Sequence, residues 1–212
     1  MKDLIILGGI AHGAEMAEIV ERMNHVKNVW NLLGFIVSEE EMEKKRSELN
    51  GYPILGTSEL LVKYPNAFFA PDVSTWARSL NIPLSRMISL IDPSAFVSRS
   101  ARIGVGCVIY PHCFIGLNAV LGNYVFCLSG SIINHDVVLE DRVVITSGVS
   151  LAGYVHVERD CYLGQACTCK QFVRIGSNSL IGMGSVVLDD VPASSVMIGN
   201  PARKLKENIA SS

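Results

Sequence analysis

From Ile91 to Val191 the sequence repeats every six residues without a break, a period that few folds can accept. Position one of each hexad runs Ile91, Val97, Ile103, Ile109, Ile115, Leu121, Cys127, Ile133, Leu139 and onward to Val187, and 15 of its 17 occupants are Ile, Leu or Val. Position five holds only small residues or Val, from Ala95 and Ala101 to Val191. A short strand and a tight corner per hexad satisfy both rows, with position one pointing inward and position five filling the inside of the bend. Three hexads then close a triangular coil of 18 residues, and stacked coils make a parallel β-helix. The glycines at position two (Gly104, Gly116, Gly122, Gly164, Gly176, Gly182) lie beside the bend and are expected to supply unusual backbone angles there. Neither the helical period nor strict alternation fits this stretch.

All six cysteines, at 107, 113, 127, 161, 167 and 169, fall on the inward positions one and five, where free cysteine packs as a small hydrophobe. The outward position six is apolar over seven consecutive hexads, Val108, Phe114, Val120, Phe126, Ile132, Val138 and Val144. Monomers rarely expose so long an apolar patch, so a subunit interface is expected, or else cover by the N-terminal part of the chain.

The first ninety residues follow another rule. Leu4 to Leu7 reads as a strand that runs into Gly8-Gly9-Ile10-Ala11-His12-Gly13, followed by helix-forming residues from Glu15 to Met23. Backbone N–H groups at such a turn can hold a diphosphate, although the GxGxxG spacing is absent. A second strand is expected around Leu32 to Val37, then a solvated charged run from Glu39 to Arg46, then short apolar segments at Pro53-Ile54-Leu55 and Ala67 to Ala70. The expectation is a small Rossmann-like α/β domain over residues 1–88 with a parallel sheet, joined to the β-helix of residues 89–212 through Ile91-Asp92-Pro93-Ser94-Ala95.

Charge and hydropathy exclude several classes of partner. A net charge of −2 offers no general attraction for phosphate backbones or anionic membranes, so nucleic acid is not expected. A membrane span needs about 18 consecutive apolar residues, and no such run occurs. Asp3 and the lack of a small-x-small site argue against a signal peptide, so a reducing, cytoplasmic setting is expected for the six thiols.

Among five histidines, His135 stands out. It occupies position three of its hexad, at a corner where a side chain projects outward, and Gly153 lies 18 residues later at the same corner of the next coil. An imidazole and a backbone N–H could therefore converge on one point, the pair that acyl transfer needs as base and oxyanion donor. A structural corner histidine is the alternative, and spacing does not decide whether Asp136 reaches the ring. His112 reads as a surface or interface residue, His156 and His25 as solvated ones, and His12 as either a helix cap or a ligand contact. A zinc triad is not expected, because the intervals of 23 and 21 residues between His112, His135 and His156 are not multiples of the coil.

Taken together, the His12-Gly13 loop end, Asp92-Pro93-Ser94-Ala95, Asn134-His135-Asp136, Leu151-Ala152-Gly153 and Gly199-Asn200-Pro201-Ala202-Arg203 resemble the sugar acetyltransferases of amino-sugar nucleotides and sialic acid. The bacillosamine-pathway and perosamine N-acetyltransferases belong to that family. The resemblance implies a left-handed β-helix assembled as a homotrimer, with acetyl-CoA as co-substrate between neighbouring helices and no metal. It implies His135 as base, Asp136 raising its basicity and Gly153 N–H on the thioester oxygen. Gln165, Gly182, Met183, Val144 and Arg203 fall on the coenzyme side; Ile10, Ala11, His12, Ser38, Glu39 and Asp72 fall on the sugar-nucleotide side. The chain departs from the family at Val144, where many relatives carry a second histidine, at Val37-Ser38 in place of an acidic pair, at Asp92 in place of a junction histidine, and at Pro71 in place of a glycine. The implied reaction is N-acetylation of a nucleotide-linked 4-amino-4,6-dideoxy sugar. O-acetylation of sialic acid, or sugar-nucleotide binding without turnover, are the alternatives.

Overall fold

The computed structural model describes residues 1–208, except the side chains of Ile10 and Ala11. The chain divides into two compact units, residues 1–93 with 105–108, and residues 94–104 with 109 onward.

In the first unit a five-stranded sheet runs β3-β4-β2-β1-β5, with β1 Lys2–Leu7, β2 Trp30–Ile36, β3 Glu48–Leu49, β4 Tyr52–Gly56 and β5 Phe68–Pro71. All pairings are parallel except β3 with β4. Leu4 to Leu7 are fully buried, as a continuous apolar run in a central strand should be. Helix α1 spans Ile10–Val26 and buries Met16, Ala17, Ile19 and Val20 along one stripe. It starts five residues earlier than its composition suggests, so the turn is Gly8-Gly9 alone and His12 lies inside the first turn rather than capping it. Gly13 lies inside α1, where an added Cβ would meet Phe35 and Leu49 at ordinary contact distance. Of the charged run, only α2 Glu39–Met42 is helical; Ser38 caps it and none of its residues is buried. α3 Thr75–Ser79 is capped by Ser74. The buried Asp92 carboxylate receives Arg22 from α1 through two bonds of 2.6 and 3.0 Å, so the residue at the place of the junction histidine is spent on structure.

The second unit is the coil of hexads. Each hexad contributes a two-residue strand of positions six and one, and equivalent strands stack in parallel at 18-residue intervals, as Phe114–Ile115 on Ile132–Ile133. Three sheets result. The first holds the strands that begin at Phe126, Val144, Tyr162 and Leu180; the second those at Phe96, Phe114, Ile132, Ser150, Thr168 and Val186; the third those at Arg102, Val120, Val138, His156 and Arg174. The architecture is a left-handed parallel β-helix, finished by strand Ser195–Ile198 and its antiparallel partner Arg203–Glu207. Positions one and five are buried throughout from Cys107 to Val191. All six cysteines are free and buried, and burial pushes the Cys161 thiol up to about 12.

Two expectations are corrected. The left-handed backbone falls at position four, at every corner from Gly106 to Gly184, and not at the position-two glycines. Those glycines are needed because the coils press together: a Cβ on Gly104 would lie 2.5 Å from the Gly122 carbonyl oxygen, and one on Gly164 2.7 Å from that of Ile181. The apolar position-six row also divides. Val108, Phe126 and Val144 are buried within the chain, whereas on the second sheet Phe114 and Ile132 stay exposed beside Phe96, whose ring stacks on Phe114 at 5.0 Å. Among the described residues no helix is long and apolar enough to cross a membrane.

Candidate active site

The corner between the second and third sheets carries Leu117-Asn118, His135-Asp136, Gly153-Tyr154 and Gln171-Phe172 at positions three and four of successive coils. Asn118, Asp136, Tyr154 and Phe172 all take the left-handed conformation, with φ of 56, 57, 63 and 65°. Backbone bonds between coils pin them there: Asp136 N–H to Leu117 O, Tyr154 N–H to His135 O and Phe172 N–H to Gly153 O.

That backbone turns Asp136 back onto its neighbour. His135 Nδ1 lies 2.9 Å from Asp136 Oδ2, while Asn118 Nδ2 donates to Asp136 Oδ1 at 3.1 Å. The hydrogen bonds from His135 and then Asn118 hold the Asp136 carboxyl below its ordinary value of 3.8. A carboxylate that stays charged fixes the proton on Nδ1 and leaves Nε2 as the acceptor. The ring lies directly over Gly153, where a Cβ would be 2.5 Å from His135 Cε1 and 2.6 Å from Nε2. Close approach therefore demands the glycine, since its φ is not in the left-handed region. The Gly153 N–H finds no acceptor among the described residues. Tyr154 meets the imidazole edge to face at 5.2 Å and stacks on Phe172 at 5.0 Å.

A second corner, between the first and second sheets, contrasts with it. Its position-four residue is His112 in the first coil and then Gly130, Gly148, Ala166 and Gly184, and an added Cβ at any of the three glycines would meet open space. The expected coenzyme residues Gln165, Gly182 and Met183 line a groove of about 320 Å³ here, together with Leu128, Thr146, Ser147, Tyr162, Gly164, Leu180 and Ile181. The N–H groups of Ser147, Gln165 and Met183 have no acceptor among the described residues and repeat once per coil, about 4.8 Å apart. A chain of amides can be held along such a ladder.

The remaining expected residues are placed elsewhere. Val144 is 8% exposed on the first sheet, in register beneath the exposed Tyr162, and does not line the groove. Arg203 begins the last strand and bonds the Ala202 carbonyl. In the first unit Asp72 accepts Gly9 N–H at 2.9 Å and both the N–H and the hydroxyl of Ser74. A side chain on Gly8 would fall on that carboxyl, so Asp72 and the glycine turn fit each other. His12 faces Glu15 at 3.5 Å, Ser38 caps α2 and Glu39 is exposed in its first turn. The side chains of Ile10 and Ala11 lie outside the described residues. His156 has both ring nitrogens engaged, with Glu140 and Arg174, His25 bonds the Glu21 carbonyl, and His112 is exposed at a position-four corner. Among the described residues no three His, Cys, Asp or Glu side chains are grouped to hold a metal ion. Asn118, Tyr154 and Phe172 were not singled out from sequence, though counting 18 residues either way from Asp136 and again beyond would have found them.

The profile described as hexapeptide repeat of succinyl-transferase matches residues 154–189. The chain is 32% identical over 173 residues to the GDP-perosamine N-acetyltransferase of Escherichia coli O157:H7, covering 76% of this chain and 78% of the relative. It is 35% identical over 88 residues to an acyl-[acyl-carrier-protein]–UDP-N-acetylglucosamine O-acyltransferase of Pseudomonas savastanoi pv. phaseolicola, spanning 34% of that protein and 42% of this one. Among solved structures, the acetyltransferase domain of PglB from Neisseria gonorrhoeae FA1090 superposes with a TM-score of 0.82 at 24% identity, over 97% of this chain and 100% of that domain. A mutant GDP-perosamine N-acetyltransferase of Caulobacter crescentus, in complex with CoA and GDP-perosamine, superposes at 0.85 with 22% identity, over 98% of each chain.

Proposed function

The chain belongs to the hexapeptide-repeat acetyltransferase family that includes GDP-perosamine N-acetyltransferase, and on that basis we propose that it moves the acetyl group of acetyl-CoA onto the amine of a nucleotide-linked 4-amino-4,6-dideoxy sugar. The observation that carries this reading is the convergence of His135, Asp136 and the open Gly153 N–H at one corner.

In this mechanism Asp136 holds the Nδ1 proton, and His135 Nε2 takes a proton from the amine as its nitrogen attacks the thioester carbonyl. A carbon–nitrogen bond forms and the carbonyl oxygen becomes an oxyanion, which the Gly153 N–H stabilises. The carbon–sulfur bond then breaks, and His135 returns its proton to the departing thiolate. Products are the amide and free CoA. The same base would serve a hydroxyl acceptor, so the preference for an amine rests on the relationship to the N-acetyltransferase.

The active unit is a homotrimer. His135 and the groove of Gln165, Gly182 and Met183 belong to different corners of one prism, and a closed ring in which the histidine corner of one copy meets the groove of the next brings them together. The exposed Phe96, Phe114 and Ile132 row lies on the sheet that joins those corners and fits such an interface. Asp72 keeps the Gly8-Gly9 turn in shape at the start of α1, with the sugar nucleotide at that turn. Six free thiols suit the reducing cytoplasm, where the protein would work.

The test is release of CoA thiol from acetyl-CoA with a panel of UDP-, GDP- and CMP-linked amino sugars and free sialic acid. Turnover with at least one amino-sugar nucleotide, lost in folded His135→Ala, is the expected result. Turnover with sialic acid alone would replace the amine by a hydroxyl, and no turnover on any acceptor would defeat the enzyme assignment.

A further inference from the structure

We propose that Tyr154 and Phe172 form an aromatic wall that packs against the pantetheine arm of the coenzyme, with Phe172 as a determinant of coenzyme affinity. This rests on the function proposed above and adds a contact from the histidine corner, opposite the groove already described.

The pair is solvent-facing and stacked: Tyr154 is 48% and Phe172 69% exposed, with rings 5.0 Å apart and 12° from parallel. Tyr154 has a second duty, since its ring meets the His135 imidazole edge to face, whereas the ring contact of Phe172 is with Tyr154. The left-handed backbone at φ of 63 and 65° is common to every corner, so the pair is singled out by its exposure and by the stacked apolar face it presents beside the catalytic histidine.

The order of the coils says by what. Tyr154 shares a coil with Ser147, and Phe172 shares the next with Gln165, so the aromatic pair spans the same levels as the groove's ladder of open N–H groups. In a ring of copies related by rotation about an axis along the helices, equal levels face one another. A thioester with its reacting carbon at His135 and its amides on the neighbour's ladder must then pass Tyr154 and Phe172. The pantetheine arm carries a gem-dimethyl group and methylene carbons between its amides; the ladder takes the polar edge and the aromatic faces take the apolar one.

Calorimetric titration with CoA itself, on the intact protein, tests this without an acceptor. Phe172→Ala is expected to weaken CoA binding about five- to tenfold, with Phe172→Tyr close to the parent. Phe172→Asn suits the left-handed backbone, so it should raise thermal stability while losing the same CoA affinity, an opposition that a merely structural stack would not produce. In turnover, KM for acetyl-CoA should rise and kcat hold within about twofold. Unchanged CoA binding in both Phe172→Ala and Phe172→Asn would overturn the wall, as would a change confined to KM of the acceptor. No binding of CoA by the parent protein would instead strike the proposed function itself.

Discussion

Two corners of the same β-helix share one backbone and carry opposite side chains. At both, position four is left-handed, and from residue 117 onward position three presents an N–H with no acceptor among the described residues. One corner fills position four with Asn118, Asp136, Tyr154 and Phe172; the other, beyond His112 in its first coil, leaves it bare with Gly130, Gly148, Ala166 and Gly184. The repeat thus specifies the scaffold, and chemistry is written only in the outward residues that the repeat leaves unconstrained. A bare corner lets a ligand lie against backbone, and an armed corner brings groups to it. Neither is sufficient alone.

The largest effect should come from arming Gly153 with a single methyl. Gly153→Ala places a Cβ at 2.5–2.6 Å from the imidazole, at a φ that alanine accepts, so the fold survives and the His135 ring is displaced. We expect kcat to fall about 10²–10³-fold, the scale of losing an oriented base or an oxyanion donor, with CoA binding retained in calorimetry. Full activity in this variant would remove Gly153 from the site. Next comes Asp136→Asn, which keeps the shape of the side chain and deletes its charge. The imidazole loses the carboxylate that fixes its Nδ1 proton, so kcat drops about 10²-fold with CoA binding retained. An unchanged kcat would mean that Asp136 does not orient the base.

The bare corner gives the next two tests. Gly148→Asn and Gly184→Asn keep residues suited to φ of 68 and 66° but push a side chain into the open space next to the groove residues Ser147 and Met183. KM for acetyl-CoA should rise about tenfold with thermal stability unchanged, since a filled subsite excludes ligand without straining the chain. Co-expressing His135→Ala with Gly184→Asn then asks whether the corners meet between copies. Random mixing in a closed trimer restores both intact corners at about a quarter of the interfaces, so activity should exceed that of either variant alone. The comparison is made at acetyl-CoA well below KM, where activity at or below that of the better single variant would place both corners' partners within one chain.

Much of the scaffold was legible because it is enforced at every coil. Positions one and five admit only side chains that fit the prism interior, and that constraint recurs often enough to be counted from Ile91 to Val191. His135 and Gly153 were legible for the same reason, as an 18-residue translation. The position-two glycines misled because a glycine signals either a special φ or a close approach, and here the neighbouring coil's carbonyls demanded the second. The split of the position-six row was hidden because every third residue belongs to a different sheet, and three faces meet different surroundings. Glycines aside, the left-handed corners were invisible to composition, for Tyr, Phe, Arg and His stand in them beside Asn and Asp. Asp72 shows the remaining difficulty: besides its local bonds to Ser74, its carboxylate is committed to Gly9 by a contact across 63 residues that no local pattern reports.

The smallest predicted effect separates positioning from chemistry at the armed corner. Asn118 reaches Asp136 from the preceding coil and donates to Oδ1 while the imidazole bonds Oδ2, so both lower the Asp136 pKa. In Asn118→Ala the carboxyl's pKa should rise toward its ordinary value of 3.8, read by NMR titration, yet the group stays ionised at neutral pH. The loosened side chain should cost about two- to threefold in kcat, the worth of one exposed hydrogen bond. An unchanged Asp136 pKa with unchanged kcat would show that Asn118 does not hold the carboxylate, and the order of the donors around Asp136 would have to be redrawn.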